Sequence, residues 1–310
     1  MELRQLRYFV AIVDHGSLSR AALVLHVAQP ALTQQLRQLE EELGAQLLHR
    51  SAHGVLSTDA GKVFYEHAQA ILKQVADARS AVTQSTTRPS GSVTLGLPHS
   101  ISGALALPLL TAARTTYPEI TLQLTEEISG NLIEQLKSGR LNLAVLFDDG
   151  QLGGFEATPL VEEDLMYICR TDSLSKPRSA SIALAAALSN TLILPAQQHG
   201  VRPLIEAAAA GAGLALTKLI EINSIAILKS ALLADMGATL LPLAPLRAEI
   251  DSGLLAATPI ENPPIRRSVT LCASRNIPLT NAAAAISRLV RQVTEMLCAN
   301  GAWPGARLRE

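Results

Sequence analysis

The hydrophobic rhythm of this chain changes once, at Thr86-Thr87-Arg88-Pro89-Ser90-Gly91, and that change constrains the fold more than any single motif. Before it, apolar residues recur at helical intervals. After it, short apolar runs suited to strands alternate with helical segments. One packed core seldom serves 310 residues, so two or three domains are expected, with this Pro- and Gly-bearing stretch as the clearest linker. The expected division is residues 1–58, 59–90 and 91–310.

Within the first part, Ser17 to Leu43 reads as two short helices joined by a tight turn. Ser17, after the breaker Gly16, is a good N-cap, and Leu18, Ala21, Ala22 and Leu25 share one face of the helix it opens. The two alanines let a second helix cross closely. That helix restarts at Gln29 with Pro30 at its first turn. Leu32, Leu36, Leu39 and Leu43 are spaced to pack inward, which leaves Gln29, Pro30, Thr33, Gln34 and Arg37 on the opposite face. Amides, a hydroxyl and a guanidinium are the groups suited to base edges in the major groove. No acid occurs between Asp14 and Glu40, so the field beside Arg20 and Arg37 is mildly positive. The spacing alone also fits an ordinary solvated helical hairpin.

Leu3 to Val13 supplies a helix that backs this pair, and Gly44 closes the second helix. Gln46 to Ser57 has short apolar runs about His53-Gly54 and reads as a small hairpin, the wing of a winged helix. Arg50 and His53 near its tip are placed for phosphate or minor-groove contact. From Thr58 a long helix carries Phe64, Ala68, Ile71, Val75, Ala78 and Val82 at alternating spacings of four and three. So narrow a heptad seam suits pairing with a second copy, the alternative being packing on the chain's own domain.

Beyond Gly91 the order is strand, helix, strand, helix, strand, with strands expected at 93–97, 120–125 and 141–147. A second βαβ-type set begins near Glu163, Pro263-Pro264 punctuates a return crossing, and 281–297 closes as a helix. Two α/β lobes built on parallel sheets, about 91–161 with 266–310 and about 162–265, would enclose a cleft where small ligands bind. Three segments land there: the loop Pro98-His99-Ser100-Ile101-Ser102, the loop Ala196-Gln197-Gln198-His199-Gly200 with Arg202 behind it, and Asn223-Ser224. Serine and asparagine at such places are equally ordinary helix caps. Their convergence on one cleft favours a ligand, an anion suiting the free backbone N–H groups.

Net charge is −1, so any nucleic-acid contact must be local, and aromatics at 3% argue against a single-strand stacking platform. The distant cysteines Cys169, Cys272 and Cys298 fit a reducing compartment. With neither an export signal nor a membrane-spanning run, a cytoplasmic protein without a membrane partner is expected. No nucleophile elbow, zinc-protease helix, phosphate-binding loop or dinucleotide fingerprint is present, so neither an enzyme nor a cofactor is expected. Glu126-Glu127, Asp148-Asp149 and Glu162-Glu163 have no base or metal spacing near them and read as solvated surface. His15, His26, His49, His53 and His67 match no metal site.

The residues Leu6, Tyr8, Phe9, Gly16 through Ala22, Gln29-Pro30-Ala31-Leu32-Thr33-Gln34-Gln35-Leu36, Leu39-Glu40, Leu43-Gly44, Leu47-Leu48, Arg50 and Thr58-Ala60-Gly61 resemble the LysR-type transcriptional regulators. Gly237 to Pro242 echoes that family's second lobe. The segments GSVTLGLP, ALPLL, LNLAVLF and DMGATLLP further resemble its nitrogen assimilation control branch. His53 departs where the family often has a basic residue, and Thr33 where serine is commoner.

The resemblance implies a winged helix-turn-helix domain, a long linker helix and a two-lobed, periplasmic-binding-protein-like α/β effector domain. It also implies a homodimer or homotetramer that binds double-stranded operator DNA under control of a small effector, with RNA polymerase as a candidate partner. The DNA-facing set would be Ser17, Arg20, Gln29, Pro30, Ala31, Thr33, Gln34, Arg37, Arg50 and His53. The effector set would be His99, Ser100, Ile101, Ser102, Gln197, His199, Arg202 and Ser224. The competing expectation is a cytoplasmic sensor or solute-binding-like protein with no primary DNA role.

Overall fold

The computed structural model describes residues 1–51, 54–83, 88–148, 150, 152–197 and 200–309, with the side chains of Arg50, Ser51 and Thr83 left undescribed. Two compact units emerge, Met1–Thr83 with Ser138–Arg140, and Gln84–Lys137 with Leu141–Glu310.

The first unit opens with α1 (Leu3–His15), α2 (Leu18–Val24) and α3 (Gln29–Leu43). Gly16 and Gly44 close α1 and α3 at φ +58 and +63, left-handed values that glycine adopts without a Cβ penalty. Ser17 caps α2 by accepting from the Arg20 amide. Leu6, Phe9, Ala21, Leu32, Leu36 and Leu39 make the core, while Leu43, expected to pack inward, is exposed beyond its edge. The wing is β1 (Leu48–Ser51) paired antiparallel with β2 (Gly54–Ser57). Glu40 fixes it to α3, its Oε1 accepting from the amides of Leu47 and Leu48 at 2.8 and 3.2 Å.

The long helix α4 (Asp59–Thr83) follows. Gly61 lets it start against the wing, since a Cβ there would lie 1.9 Å from the Leu47 carbonyl. Phe64 meets Phe9 edge-on at 5.1 Å, and Ala68 is completely buried in the same core. These two seam residues therefore serve their own domain. Ile71, Ala78 and Val82 are exposed further along.

In the second unit, β3 (Gly91–Pro98), α5 (His99–Thr116), β4 (Ile120–Glu127), α6 (Ser129–Lys137) and β5 (Leu143–Phe147) form the expected parallel βαβαβ. The strand β6 (Phe155–Asp164), which sequence patterning does not suggest, then runs across to the second lobe. There β7 (Met166–Arg170), β8 (Ile182–Ala183), α7 (Leu184–Leu188), β9 (Leu192–Leu194), α8 (Val201–Gly211), β10 (Leu219–Glu221), α9 (Ile225–Leu233), β11 (Thr239–Leu241), α10 (Arg247–Asp251) and β12 (Leu255–Glu261) follow. The chain returns through β13 (Arg266–Ser274) to α11 (Asn281–Ala299) and β14 (Ala306–Leu308).

The first-lobe sheet has the order β14-β6-β13-β5-β3-β4 and separate apolar clusters, one with α5 and α11 and one with α6. The second lobe is not the parallel set expected from sequence. Its larger sheet, β11-β7-β12-β8, contains two antiparallel pairings, and β9 with β10 forms a separate parallel pair. The crossing strand β6 pairs antiparallel with returning β13, so the lobes are joined by a paired two-strand strap.

Candidate functional site

On the first unit, α3 presents Gln29, Pro30, Ala31, Gln34 and Arg37 to solvent, with Thr33 half-buried. The Ser19 hydroxyl donates to Gln29 Oε1 at 3.1 Å and ties α2 to the start of α3. Ala28 gives α3 no side-chain cap, and its first turn holds no acid. The amides of that turn therefore face outward at the positive end of the helix dipole, a place that stabilises an anion by about 0.3–1 kcal/mol. Arg20 and Arg37 are exposed, and among the described residues neither guanidinium enters an ion pair. Ser17 spends its oxygen on the cap of α2. Arg50 lies on β1 opposite Val55, its side chain undescribed, and His53 lies outside the described residues.

On the second unit the three expected segments do meet. Pro98, His99, Ser100, Gly200, Val201 and Asn223 line one cleft between the lobes, and Asn223 Oδ1 accepts from the Ala196 amide at 2.8 Å. The mouth of the cleft, between His99 and Glu126 of one lobe and Asn223, Ser224 and Ile225 of the other, holds about 430 Å³. Its inner part is nearly full, with about 30 Å³ left, room for little more than a water molecule. Phe147, at the carboxyl end of β5, fills it, and Gly200 touches the ring so closely that a Cβ there would sit 2.4 Å from it.

Behind Phe147 is a buried polar network that sequence reasoning missed. Arg267 stacks on the ring at 4.3 Å from its centroid and donates from Nη1 to Ser100 Oγ at 2.9 Å. Its Nε donates to Glu163 Oε2 at 2.7 Å, and Trp303 Nε1 donates to Glu163 Oε1 at 2.8 Å. Burial pushes the Arg267 guanidinium below its ordinary range, and the Glu163 carboxylate opposes that shift. Glu163 is 1% exposed, which corrects its reading as solvated surface. No local sign marks it, because Glu163 shares a face with Val161 only once the stretch is known to form β6.

Other expectations need correction. Residues 99–102 are the first turn of α5 and not a loop. Ile101 is fully buried in the first-lobe core and faces no cleft, because its position in that turn points inward. The Ser102 hydroxyl turns back to the His99 carbonyl at 3.1 Å. Arg202 is 7% exposed, its Nε on Glu206 at 2.7 Å and its Nη1 on the Pro195 carbonyl, so its charge is already matched. Ser224 caps α9 through the Ile227 amide and still lines the mouth of the cleft beside His99 and Asn223. Gln197 is exposed but does not line the cleft, and His199 lies outside the described residues. His99 does line it, with Nδ1 2.8 Å from Glu126 Oε1.

The thiols stand apart. Cys169 and Cys272 are buried in different clusters, and Cys298 is half-buried against a third. Burial raises all three, Cys272 to about 12, so none has the thiolate character of a reactive cysteine. Among the described residues no group of His, Cys, Asp and Glu is placed to hold a metal.

Residues 3–62 match the bacterial regulatory helix-turn-helix protein, lysR family, and residues 86–295 match the LysR substrate binding domain. The nitrogen assimilation regulatory protein nac of Klebsiella aerogenes is 40% identical over 243 residues, 78% of each chain. Among solved structures, a full-length OxyR variant from Pseudomonas aeruginosa superimposes with a TM-score of 0.70 at 20% identity, covering 100% of this chain and 99% of that one. Full-length CbnR, solved with its target DNA, gives 0.68 at 24% identity over 94% of this chain and 100% of that one. At such identities these structures speak for the fold.

Proposed function

The chain belongs to the LysR family of transcriptional regulators, and from that premise we propose that α3 reads operator DNA through Gln29, Pro30, Ala31, Thr33, Gln34 and Arg37. The observation that carries this reading is the exposed stripe along α3, with Arg37 on it and Arg20 on α2 in no ion pair among the described residues, and an uncapped, acid-free first turn beside it. Ser17, Arg20 and Arg50 serve the phosphate backbone, and the wing brings His53 to the same surface. Residues 1–58 form the DNA-binding part, 59–90 the linker and 91–310 the effector-binding part. The chain acts in the cytoplasm, as a regulator without catalytic activity. No helix among the described residues is long and apolar enough to cross a membrane.

Two copies pair through α4, and the seam available for this starts at Ile71 and runs to Val82. A single copy has net charge −1 and few cations to set against phosphate, so useful affinity requires the pair. The effector is a small, anionic molecule held by His99, Ser100 and the Asn223 side. It enters by the open mouth of about 430 Å³ beside His99 and Asn223, and reaches the inner 30 Å³ at Ser100 when the Phe147 ring swings aside. The 40% relative is named for nitrogen assimilation, which supports target genes of that kind.

The test is Gln34→Ala in a gel-shift titration on a bound site. Loss of one good base contact weakens binding by about 1–3 kcal/mol and relaxes base preference. Unchanged affinity would remove Gln34 from the interface. Arg50→Ala, in contrast, weakens all sequences alike and lowers the salt slope by about one unit.

A further inference from the structure

A second pocket, of about 220 Å³, opens on the first lobe and shares no lining residue with the cleft. Arg291, Thr294 and Glu295 of α11 and Arg309 after β14 supply its polar groups, with Pro159 and Leu308 as apolar walls. Arg291 and Glu295 stand one turn apart on α11, with the cation first, the less favourable order for an intrahelical pair. Among the described residues neither enters an ion pair or a side-chain hydrogen bond, and both are exposed.

Arg309 is positioned by the backbone. The β6–β13 register slips between Val269 and Thr270 and leaves Leu160 unpaired as a bulge, and the Arg309 amide donates to the Leu160 carbonyl at 3.2 Å. Its Nη1 is 3.7 Å from Asp148 Oδ2, a long contact that leaves donors over. Thr294 is 1% exposed, and its hydroxyl has no hydrogen-bond partner among the described residues, whereas buried hydroxyls ordinarily have one.

Two guanidiniums and one carboxylate around a small apolar-walled space select a ligand that carries both charges. A bare dianion meets Glu295, and a bare amine meets two arginines. We propose that this pocket binds a small zwitterion of the amino-acid class. Its carboxylate lies on Arg291 and Arg309, its ammonium on Glu295 and a short apolar side chain against Pro159 and Leu308. The site is independent of the cleft and of what the cleft binds.

The experiment is calorimetric titration of the full chain with L-valine, with isovalerate (valine without its amine) and with isobutylamine (valine without its carboxylate). Valine binds, isovalerate binds about tenfold more weakly and isobutylamine does not bind, as expected when a charged hydrogen bond is lost. Arg291→Ala weakens valine about tenfold or more by the same reasoning, and Glu295→Gln brings valine down to the level of isovalerate. Both residues are exposed, so these variants fold, and their unchanged melting temperatures would show it. Ile225→Ala on the cleft wall leaves valine binding as it was. Absence of valine binding, binding unmoved by Arg291→Ala, or binding lost in Ile225→Ala would overturn the site. Equal affinity for isovalerate and valine would overturn the zwitterion.

Discussion

Arg267 and Glu163 face each other across the β13–β6 strap and form an ion pair whose side chains are 0% and 1% exposed. The pair sits where the chain crosses between lobes. It reaches the cleft through Ser100 and Phe147, and Trp303 secures its acid from the C-terminal side. Taking both ions out of water is costly, and their mutual geometry offsets most of that, so removing one partner is far worse than removing both.

Glu163→Gln is therefore expected to destabilise the effector unit by about 3–5 kcal/mol, because it leaves a buried guanidinium uncompensated. Arg267→Met with Glu163→Leu should lose much less than the single changes sum to. Urea denaturation of Glu163→Gln, of Arg267→Met and Glu163→Leu singly, and of their double variant checks this. Simple additivity would show that the two groups do not act as a pair.

Phe147 and Gly200 should behave as one unit. Gly200→Ala puts a methyl 2.4 Å from the ring and forces it to move, an overpacking expected to cost about 1–3 kcal/mol. In a Phe147→Ala background the same change should be nearly neutral, which a double-mutant cycle in thermal unfolding measures. An equal cost in both backgrounds would mean that the ring does not fill the cleft in solution.

Alkaline pH tests the buried thiol. Unfolded, Cys272 ionises near 9.0, and burial holds its proton until about 12 in the folded chain. The native state binds more protons in that window, so stability is intact below pH 9 and falls as pH rises toward 12. Tyr65 adds to the fall above 10.0, since burial first and then its bond to Asp14 raise it to about 12. Cys272→Ala should flatten the lower part of the decline and Tyr65→Phe the upper. A decline unaltered by either would assign it to other groups.

On α4, Ile71→Asp with Val75→Asp should convert the dimer to monomer in sedimentation, because the usable seam begins at Ile71. Ala68→Asp would instead unfold the DNA-binding unit, as Ala68 is completely buried in that core. A dimer that survives the Ile71 and Val75 changes would move the interface off α4.

The N-terminal unit was legible because its signals are local: Gly16, Ser17, Pro30 and Gly44 each sit where the cap or first turn they predict is found. What Glu40 does was not legible, since its partners are amides across a loop. In the effector unit the first βαβαβ follows hydrophobic runs and was readable. The stretch that forms β6 is rich in acids and carries Pro159, so nothing in its pattern announced a long crossing strand. Glu163 looked like surface because its partner, Arg267, is 104 residues away. Arg202 looked like a ligand-holding cation although Glu206, one turn on in α8, was in reach from sequence alone, and only Glu221 comes to it through the folded lobe. Helix caps are written within four residues, whereas buried charge pairs are written across the fold.

The most direct measurement is sequencing of genomic fragments captured by the purified full chain at physiological salt, run in parallel with Gln34→Ala. The expected result is a small set of discrete sites, each carrying two related half-sites as a symmetric pair of α3 helices requires, and their loss in the variant. Uniform, salt-sensitive recovery of all fragments, or the same sites with Gln34→Ala, would contradict α3 as the reader of sequence.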